Sequence, residues 1–122
     1  MLCYGAGVNK AYLIFALDIT DASLMRDYVK AAREAIPPGV RVLAVNAPEV
    51  LEGTWYGQQT VLMEFDSVEA ARQWYRSPSY QAAAELRRLA ARAKVAIVEG
   101  IDVQAFTDST PDSVADLIGD RF

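Results

Sequence analysis

The sequence contains no histidine and a single cysteine, Cys3, in its 122 residues. The lack of histidine excludes two-histidine iron sites, histidine-based zinc sites, Ser-His-Asp triads, Cys-His pairs and haem held by a proximal histidine. One cysteine cannot form a disulfide within the chain, which favours a reducing compartment.

Long hydrophobic segments are also missing. No apolar run approaches the roughly 20 residues that are needed to cross a bilayer. Residues 1–10 are too short and too mixed in character for the apolar core of a signal peptide. We therefore expect a soluble, cytoplasmic protein without a membrane partner.

Clustered charge of either sign is scarce. The formal net charge is −4, and acidic and basic residues are interspersed through most of the chain. A nucleic-acid-binding surface would require a basic patch. Hard cations would suit Glu49, Glu52 and Asp18, but no spaced acidic motif accompanies these carboxylates. We expect no nucleic-acid partner, no metal and no bound cofactor.

The hydrophobic pattern predicts one α+β domain over residues 10–101, after an N-terminal arm at residues 1–9 and before a C-terminal extension at residues 102–122. In the extension, Val114, Leu117 and Ile118 have helical spacing, which predicts a short helix that packs on a partner subunit or over a pocket mouth. A mobile acidic arm is the alternative for this extension.

Within the domain, the pattern predicts the element order βαββαβ. The predicted strands are 11–17, 40–45 with a possible continuation at 49–52, 60–65 and 94–99, and the predicted helices are 21–36 and 66–92. The first helix carries an apolar face that includes Tyr28, and the second opens with a capping box of Asp66 and Glu69. Ser77 and Pro78 interrupt the second helix and begin a new one. This order folds into a four-stranded antiparallel sheet with its helices on one face, the ferredoxin-like arrangement.

The strands are apolar on both faces, although only one face is covered by helices. Residues 11–17 and 95–98 show no alternation between apolar and polar positions, as a solvated face would require. A symmetric second copy is the simplest cover for the other face, which predicts a homodimer through the sheet face. The alternative is that the C-terminal extension folds back over the sheet.

Several segments form a distinctive combination. They are Asp18-Ile19-Thr20-Asp21, Glu49-Val50-Leu51-Glu52-Gly53 with Trp55, Phe65-Asp66-Ser67 with Ala71, Trp74-Tyr75 followed by Ser77-Pro78 and Tyr80, Arg87, and Ile97-Val98-Glu99-Gly100. Over about residues 10–101 the chain resembles the bacterial domain of unknown function 1330 family. The resemblance implies a ferredoxin-like protomer of the dimeric α/β-barrel superfamily. That superfamily includes cofactor-free monooxygenases, muconolactone-type isomerases, haem-degrading enzymes and binding proteins, so the resemblance implies no particular reaction.

Two features depart from the family pattern. Family members often carry an arginine followed by two glycines at the end of the second strand, whereas this chain has Val45-Asn46-Ala47-Pro48. An anion-binding role for that arginine is therefore not carried over. The extension from Asp102 continues past the usual family end.

The interrupted helix supplies the first candidate site residues. Trp74, Tyr75 and Tyr80 can line a pocket between helix and sheet, with the Tyr80 hydroxyl as a polar group, or they can be core residues. Ser77 begins a helix whose free N–H groups suit a carboxylate or phosphate. Arg87 lies two helical turns after Tyr80 on the same face, where it has either a structural role or a role in holding an anionic or phenolic ligand.

Loop and strand ends supply the remaining candidates. Glu52 and Trp55 flank the turn after the second strand and can form a pocket rim, where a carboxylate beside tryptophan suits a general acid or base. The alternative for Glu52 is a solvated position. Asp18 lies at a strand end beside a helix start, where it can act as a base or assist the helix N-terminus.

Two main functions remain open from the sequence. The first is a cofactor-free enzyme that performs isomerase- or monooxygenase-like chemistry in a pocket of each protomer, with Tyr80, Asp18 and Glu52 as acid or base and Trp55, Trp74, Ser77 and Arg87 holding the small-molecule substrate. The second is a non-catalytic dimer that binds a hydrophobic small molecule. A purely structural or interaction module is a third possibility, and a filled pocket would be its signature.

Overall fold

The computed structural model describes residues 9–101. The strands are β1 (Ala11–Ile19), β2 (Arg41–Asn46), β3 (Gln59–Phe65) and β4 (Ala91–Glu99), and the helices are α1 (Ala22–Glu34), α2 (Val68–Arg76) and α3 (Pro78–Ala90). The sheet has four strands in the order β2-β3-β1-β4, and every neighbouring pair is antiparallel. This is the predicted ferredoxin-like βαββαβ arrangement with its second helix in two parts. The helix predicted for residues 102–122 and nearly all of the predicted N-terminal arm lie outside the described residues.

The core lies between β1 and the helices. Strand β1 alternates strictly, with Leu13, Phe15 and Leu17 buried and the residues between them only partly covered. Because successive strand residues point to opposite faces, the buried set faces the helices and the other set faces away. Phe65, Trp74 and Tyr80 are further large side chains of this core.

Local capping explains where the helices begin. Asp21 accepts a hydrogen bond from the backbone N–H of Leu24 at 3.1 Å, which caps α1. Ser77 caps α3 by accepting from the N–H of Tyr80 at 3.3 Å, and Pro78 follows in the first turn. The predicted break at Ser77 and Pro78 is confirmed, since proline fits the first helical turn and has no N–H to leave unpaired.

Three local predictions were wrong. The cap of α2 is Ser67, which accepts from the N–H of Ala70 at 3.0 Å, whereas Asp66 instead pairs with Lys10 at 2.8 Å. Helix α3 ends at Ala90 and β4 begins at Ala91 without a loop, so the last strand starts three residues earlier than predicted. The segment 49–52 forms no strand, and the irregularity in β2 lies between Val42 and Ala44 instead.

One face of the sheet is covered by no helix within residues 9–101, and this helix-free face carries both apolar and charged residues. Tyr12, Ile14 and Ala16 of β1 lie on it, and Leu62 is the register partner of Ile14. On β4 the same face carries Ala96 and Val98 toward one end and Arg92 and Lys94 toward the other, by their register with β1. Val98 is 50% exposed, as expected for a face that no helix of the described residues covers.

Helix α1 is hydrogen-bonded to the other helices at both of its ends. At its start, the backbone N–H groups of Thr20 and Asp21 both donate to the carbonyl oxygen of Ala90, at 2.8 and 3.0 Å. At its end, the indole Nε1 of Trp74 donates to the carbonyl oxygen of Ala35 at 3.0 Å. These bonds tie α1 to the last residue of α3 and to α2.

The loop between β2 and β3 passes tightly against β1 at Gly57. Gly57 has φ of 77°, and a Cβ placed on it would lie 2.2 Å from the carbonyl oxygen of Leu17. Only glycine accommodates both this left-handed backbone and this approach. The next residue, Gln58, donates its N–H to the same carbonyl at 2.8 Å, so the loop is joined to the strand end.

None of the helices within residues 9–101 has the length and the apolar character that crossing a bilayer requires.

Candidate functional site

An apolar cleft of about 390 Å³ opens between α1 and the helix side of β1, β3 and β2. The helices within residues 9–101 leave the β2 edge of the sheet partly uncovered, so the helix-side residues Val42 and Val45 remain accessible, at 48% and 53% exposed. The cleft walls comprise Phe15, Leu17, Ile19, Met25, Tyr28, Val29, Ala32, Arg33, Ile36, Val42, Val45, Gln59, Val61, Met63 and Trp74. Such a cavity, largely apolar with few polar groups, is typical of small-molecule sites.

A chain of three polar side chains leads from the core to this cleft. The Nε of Arg87 donates to the phenolic oxygen of Tyr80 at 3.3 Å, and the phenolic oxygens of Tyr80 and Tyr28 lie 2.9 Å apart. Tyr80 is fully buried and Arg87 is only 4% exposed, whereas Tyr28 reaches the wall of the cleft. We call Arg87, Tyr80 and Tyr28 the relay.

The chemistry of arginine fixes the direction of the first hydrogen bond in the relay. A guanidinium only donates hydrogen bonds, so the Tyr80 oxygen accepts from Arg87. Among the described residues, the Tyr28 oxygen is the acceptor within reach of the Tyr80 hydroxyl proton. Either oxygen can be the donor in the bond between Tyr80 and Tyr28. With Tyr80 as the donor, the proton of Tyr28 is free to be donated to a group inside the cleft.

Arg87 is a buried cation that lacks a carboxylate partner within residues 9–101, where the salt bridges join other residues. Its NH2 group also donates to the hydroxyl of Tyr75 at 3.5 Å, and its guanidinium lies 5.7 Å from the ring centre of Phe15. Burial lowers the pKa of Arg87, but the surrounding tyrosine oxygens of Tyr80, Tyr28 and Tyr75 outweigh this and raise it above its usual value. The guanidinium is therefore charged at neutral pH.

Tyr28 is a neutral hydrogen-bond donor at neutral pH. Burial raises the pKa of Tyr28 well above its ordinary value of 10.0, and the neighbouring Tyr80 raises it further, while Arg87 opposes the shift. A hydroxyl held in the neutral form can donate a hydrogen bond to an acceptor atom, as buried acids do in oxyanion sites.

The aromatic residues around the relay pack closely. The ring centres of Trp74 and Tyr80 are 4.2 Å apart, and Tyr75 and Tyr80 are 5.5 Å apart. The Trp74 ring lines the cleft, but its Nε1 is occupied by the carbonyl of Ala35. Trp74 can therefore offer a ligand its ring surface and not a hydrogen bond.

Of the residues predicted for the site, Tyr80 and Arg87 belong to the relay, and Trp74 packs against Tyr80. Ser77 lies one turn before Tyr80, and its hydroxyl donates to the carbonyl of Trp74 at 2.7 Å while accepting from the Tyr80 N–H. Both capacities of the Ser77 hydroxyl serve the junction between α2 and α3. Ser77 is not among the residues that line the cleft.

Asp18, Glu52 and Trp55 lie away from the cleft. Asp18 follows the buried Leu17 in β1 and so belongs to the helix-free face. The Nε1 of Trp55 donates to the hydroxyl of Thr60 at 3.1 Å, and Thr60 is the register partner of Ala16 on that same face. Glu52 is exposed in the loop between β2 and β3. The structure does not bring these three residues to the relay.

Tyr28 is a site residue that the sequence did not single out. In the sequence it is one more position on the apolar face of a helix. The available signal was that it carries the one hydroxyl on that face, which a buried position would oblige to find a polar partner.

No group of three or more histidine, cysteine, aspartate or glutamate side chains comes together within residues 9–101 in a way that would hold a metal ion.

The family follows from comparison with known proteins. The model of a family described as "Domain of unknown function (DUF1330)" matches residues 10–101. The chain belongs to this family. The match spans all seven helices and strands of the fold, so the DUF1330 domain comprises the whole ferredoxin-like unit, including the cleft and the relay.

Solved structures share the fold of this DUF1330 protein at low sequence identity. A Caulobacter crescentus CB15 protein provisionally named an antibiotic biosynthesis monooxygenase is 15% identical with a TM-score of 0.58, covering 78% of this chain and 92% of that one. A dimeric ferredoxin-like protein of unknown function from Thermobifida fusca yx is 16% identical with a TM-score of 0.56, covering 80% and 96%. SnoaB, a cofactor-independent oxygenase from Streptomyces nogalater, is 10% identical with a TM-score of 0.53, covering 77% and 95%. At these identities the comparison establishes the fold alone.

A comparison with curated proteins gives no match.

Proposed function

We propose that this DUF1330 protein binds an apolar small molecule in the cleft and acts on it as a cofactor-free enzyme of the isomerase or oxygenase type. The observation that carries the proposal is the relay, whose last member, Tyr28, lies at the wall of an apolar cavity. The proposal takes Tyr80 as the donor to Tyr28, which leaves the Tyr28 proton for a ligand. The fold shared with SnoaB, a cofactor-independent oxygenase, adds support by analogy only.

In the proposed mechanism, Tyr28 donates a hydrogen bond to an oxygen of the substrate. The positive charge of Arg87 lies behind Tyr80 and Tyr28, and its field together with the hydrogen bond from Tyr28 favours an enolate or phenolate form of the substrate over the neutral form. The sequence predicts that Tyr80 and Arg87 contact the substrate. In this proposal Tyr28 makes that contact, and Tyr80 and Arg87 are positioning residues behind it. The ring of Trp74 remains a proposed substrate-binding surface.

A non-catalytic binding protein is the alternative function. Among the described residues, none of those that line the cleft is an aspartate or a glutamate, so the cavity offers a hydrogen-bond donor without a general base. Under the enzymatic proposal the proton leaves to solvent or to buffer. Under the binding alternative the relay only selects ligands that carry an acceptor oxygen.

We also propose a cytoplasmic homodimer that associates through the helix-free face of the sheet. Ile14, Leu62 and Val98 on that face are apolar and have no covering helix within residues 9–101. The fold relative from Thermobifida fusca is a dimeric protein, which is consistent with this proposal. The cleft lies on the opposite side of the sheet, so each protomer would keep its own cleft.

Binding is tested with 2-naphthol, an apolar phenol whose absorption and fluorescence report its ionisation. Wild-type protein is expected to bind 2-naphthol and to hold the pKa of the bound phenol below the value that the apolar cavity alone would give, because Tyr28 donates a hydrogen bond to the phenolate. Tyr28→Phe is expected to weaken binding about tenfold, equivalent to one lost hydrogen bond of about 1.4 kcal/mol, and to raise the pKa of the bound phenol. Tyr56→Phe, which removes a hydroxyl that lies outside the cleft lining, is the matched control. Equal affinity in wild type and Tyr28→Phe contradicts the proposal.

Catalysis is tested with 2-tetralone, an apolar ketone with acidic C–H groups. In D₂O, an enzyme that stabilises the enolate accelerates exchange of these hydrogens, which proton NMR measures directly. The acceleration should disappear in Tyr28→Phe and persist in Tyr56→Phe. Binding of 2-tetralone without accelerated exchange favours the non-catalytic alternative.

A further inference from the structure

Three cationic side chains border the cleft along one side of α1. Arg26, Lys30 and Arg33 have helical spacing and lie on one stripe of the helix, and all three are exposed. Each of the three follows directly after a residue that lines the cleft, and these cleft residues are Met25, Val29 and Ala32. We call Arg26, Lys30 and Arg33 the basic rim.

The basic rim is continuous with the cleft. A shallower depression lies along α1, and its walls include the three rim residues together with Ile19, Met25 and Val29. Ile19, Met25, Val29 and Arg33 line both the depression and the cleft. A molecule whose apolar part lies in the cleft can therefore reach the rim cations without leaving the protein surface.

The charge of this region differs from that of the whole chain. The formal net charge of the chain is −4, yet the depression carries three cations and one carboxylate, Asp27. None of the salt bridges within the described part of the chain involves a rim residue. The rim therefore presents a net positive field at the mouth of an apolar cavity, and fields of this kind attract anionic ligands.

We infer that the cleft takes an anionic amphiphile, with its apolar body between α1 and β2 and its carboxylate, sulfonate or phosphate group against the basic rim. This inference rests on the proposed small-molecule function of the cleft and specifies the ligand class. Tyr28 then contacts a neutral oxygen on the apolar body, and the rim holds the charged end. Val29, which is 43% exposed between the two regions, is covered when the ligand is bound.

The test uses two dyes with the same aromatic frame. One is 1-anilinonaphthalene-8-sulfonate, which is anionic, and the other is N-phenyl-1-naphthylamine, which is neutral, and both fluoresce in apolar sites. Wild-type protein is expected to bind the anionic dye about tenfold more tightly at low salt, with the difference shrinking as salt screens the rim.

The deciding variant is Lys30→Gln with Arg33→Gln. It should reduce the affinity for the anionic dye about tenfold and leave the neutral dye within twofold. Arg76→Gln with Arg88→Gln, which removes the same charge from exposed positions on α2 and α3, should leave both dyes unchanged. Equal unfolding midpoints in urea establish that the variants are folded.

The outcomes separate this inference from the proposed function. If neither dye binds the wild type, and 2-naphthol also fails to bind, both the ligand class and the cleft function are wrong. If both dyes bind and the Lys30→Gln, Arg33→Gln variant binds them as the wild type does, the cleft function stands and the rim inference is overturned. The rim inference is also overturned if Tyr28→Phe loses affinity for the anionic dye while the rim variant keeps it. The charged group of the dye would then lie at the relay.

Discussion

The phenolic oxygen of Tyr28 lies 2.9 Å from that of Tyr80, although the two residues are 52 positions apart in the chain. Tyr80→Phe removes the acceptor for Arg87 and the hydrogen-bond partner of Tyr28, leaving buried polar groups without partners. We expect a loss of about 2–3 kcal/mol in the free energy of unfolding, against about 1 kcal/mol for Tyr28→Phe. Urea unfolding measures both, with Tyr56→Phe as a control expected within about 0.5 kcal/mol of wild type. A larger loss in Tyr28→Phe than in Tyr80→Phe would contradict the proposed direction of the hydrogen bonds.

Ionisation of Tyr28 should make the fold less stable at high pH. Burial raises the pKa of Tyr28 in the folded protein above its ordinary value of 10.0, so above that pH the unfolded chain loses this proton before the folded protein does. The contribution of Tyr28 is complete below about pH 10 and declines as the pH rises toward the folded-state pKa.

Urea unfolding between pH 8 and pH 11 checks this expectation. The wild type should lose stability more steeply above pH 10 than Tyr28→Phe, and the difference between the two curves isolates Tyr28 from the other tyrosines. Parallel curves would mean that Tyr28 titrates alike in the folded and unfolded states.

Gly57→Ala should destabilise the protein strongly. An added Cβ would lie 2.2 Å from the carbonyl oxygen of Leu17, on a residue that already has positive φ. Gly53→Ala is a matched control, because Gly53 also has positive φ but a Cβ there meets nothing within 4 Å. We expect a loss of about 1 kcal/mol for Gly53→Ala and at least about 3 kcal/mol for Gly57→Ala. Similar unfolding midpoints in the two variants would show that the close approach to Leu17 is unimportant.

Asp18→Asn and Glu52→Gln should leave binding of 2-naphthol within twofold of wild type. Asp18 belongs to the helix-free face and Glu52 is exposed in a loop, so neither carboxylate lines the cleft. Fluorescence titration measures the affinity of each variant beside Tyr28→Phe. A tenfold loss in Asp18→Asn or Glu52→Gln would restore that residue to the site as the sequence predicts.

Association through the helix-free face is expected to depend on Ile14. Ile14→Lys places a charge among the apolar residues of that face, opposite Leu62 and Ala96, and should convert a dimer to a monomer in sedimentation equilibrium. Leu89→Lys is the control, because Leu89 is already 69% exposed on α3. A wild-type protein that sediments as a monomer at micromolar concentration would exclude the dimer.

Local features of the fold were predictable because they depend on neighbours in sequence. The break at Ser77 and Pro78 follows from the geometry of proline, and the structure has it at the expected residue. The cap of α2 was misplaced by one residue because Asp66 and Ser67 are both good capping residues. Sequence cannot choose between them, and the ion pair of Asp66 with Lys10, 56 positions away, leaves Ser67 as the cap.

The candidate site was only partly predictable because it depends on contacts between distant segments. Tyr80 and Arg87 share a helix face, so their proximity follows from helical spacing. The sequence does not show which residues of β1 face the helices, because residues 11–17 are apolar at every position. Alternation therefore cannot assign Asp18 to a face of the sheet. The partnership of Tyr28 with Tyr80 needed the packing of α1 on α3.

The hydrogen bonds at the two ends of α1 have a consequence for the ligand selectivity of the cleft. The bonds from Thr20 and Asp21 to Ala90 at one end, and from Trp74 to Ala35 at the other, hold the helix that forms one wall of the cleft. Because α2 and α3 pack on the sheet, we expect the spacing between α1 and the sheet to change little when a ligand binds, so that little free energy is lost in reorganising the protein. The cleft should therefore discriminate by molecular thickness, admitting flat aromatic compounds and rejecting bulky ones of the same polarity.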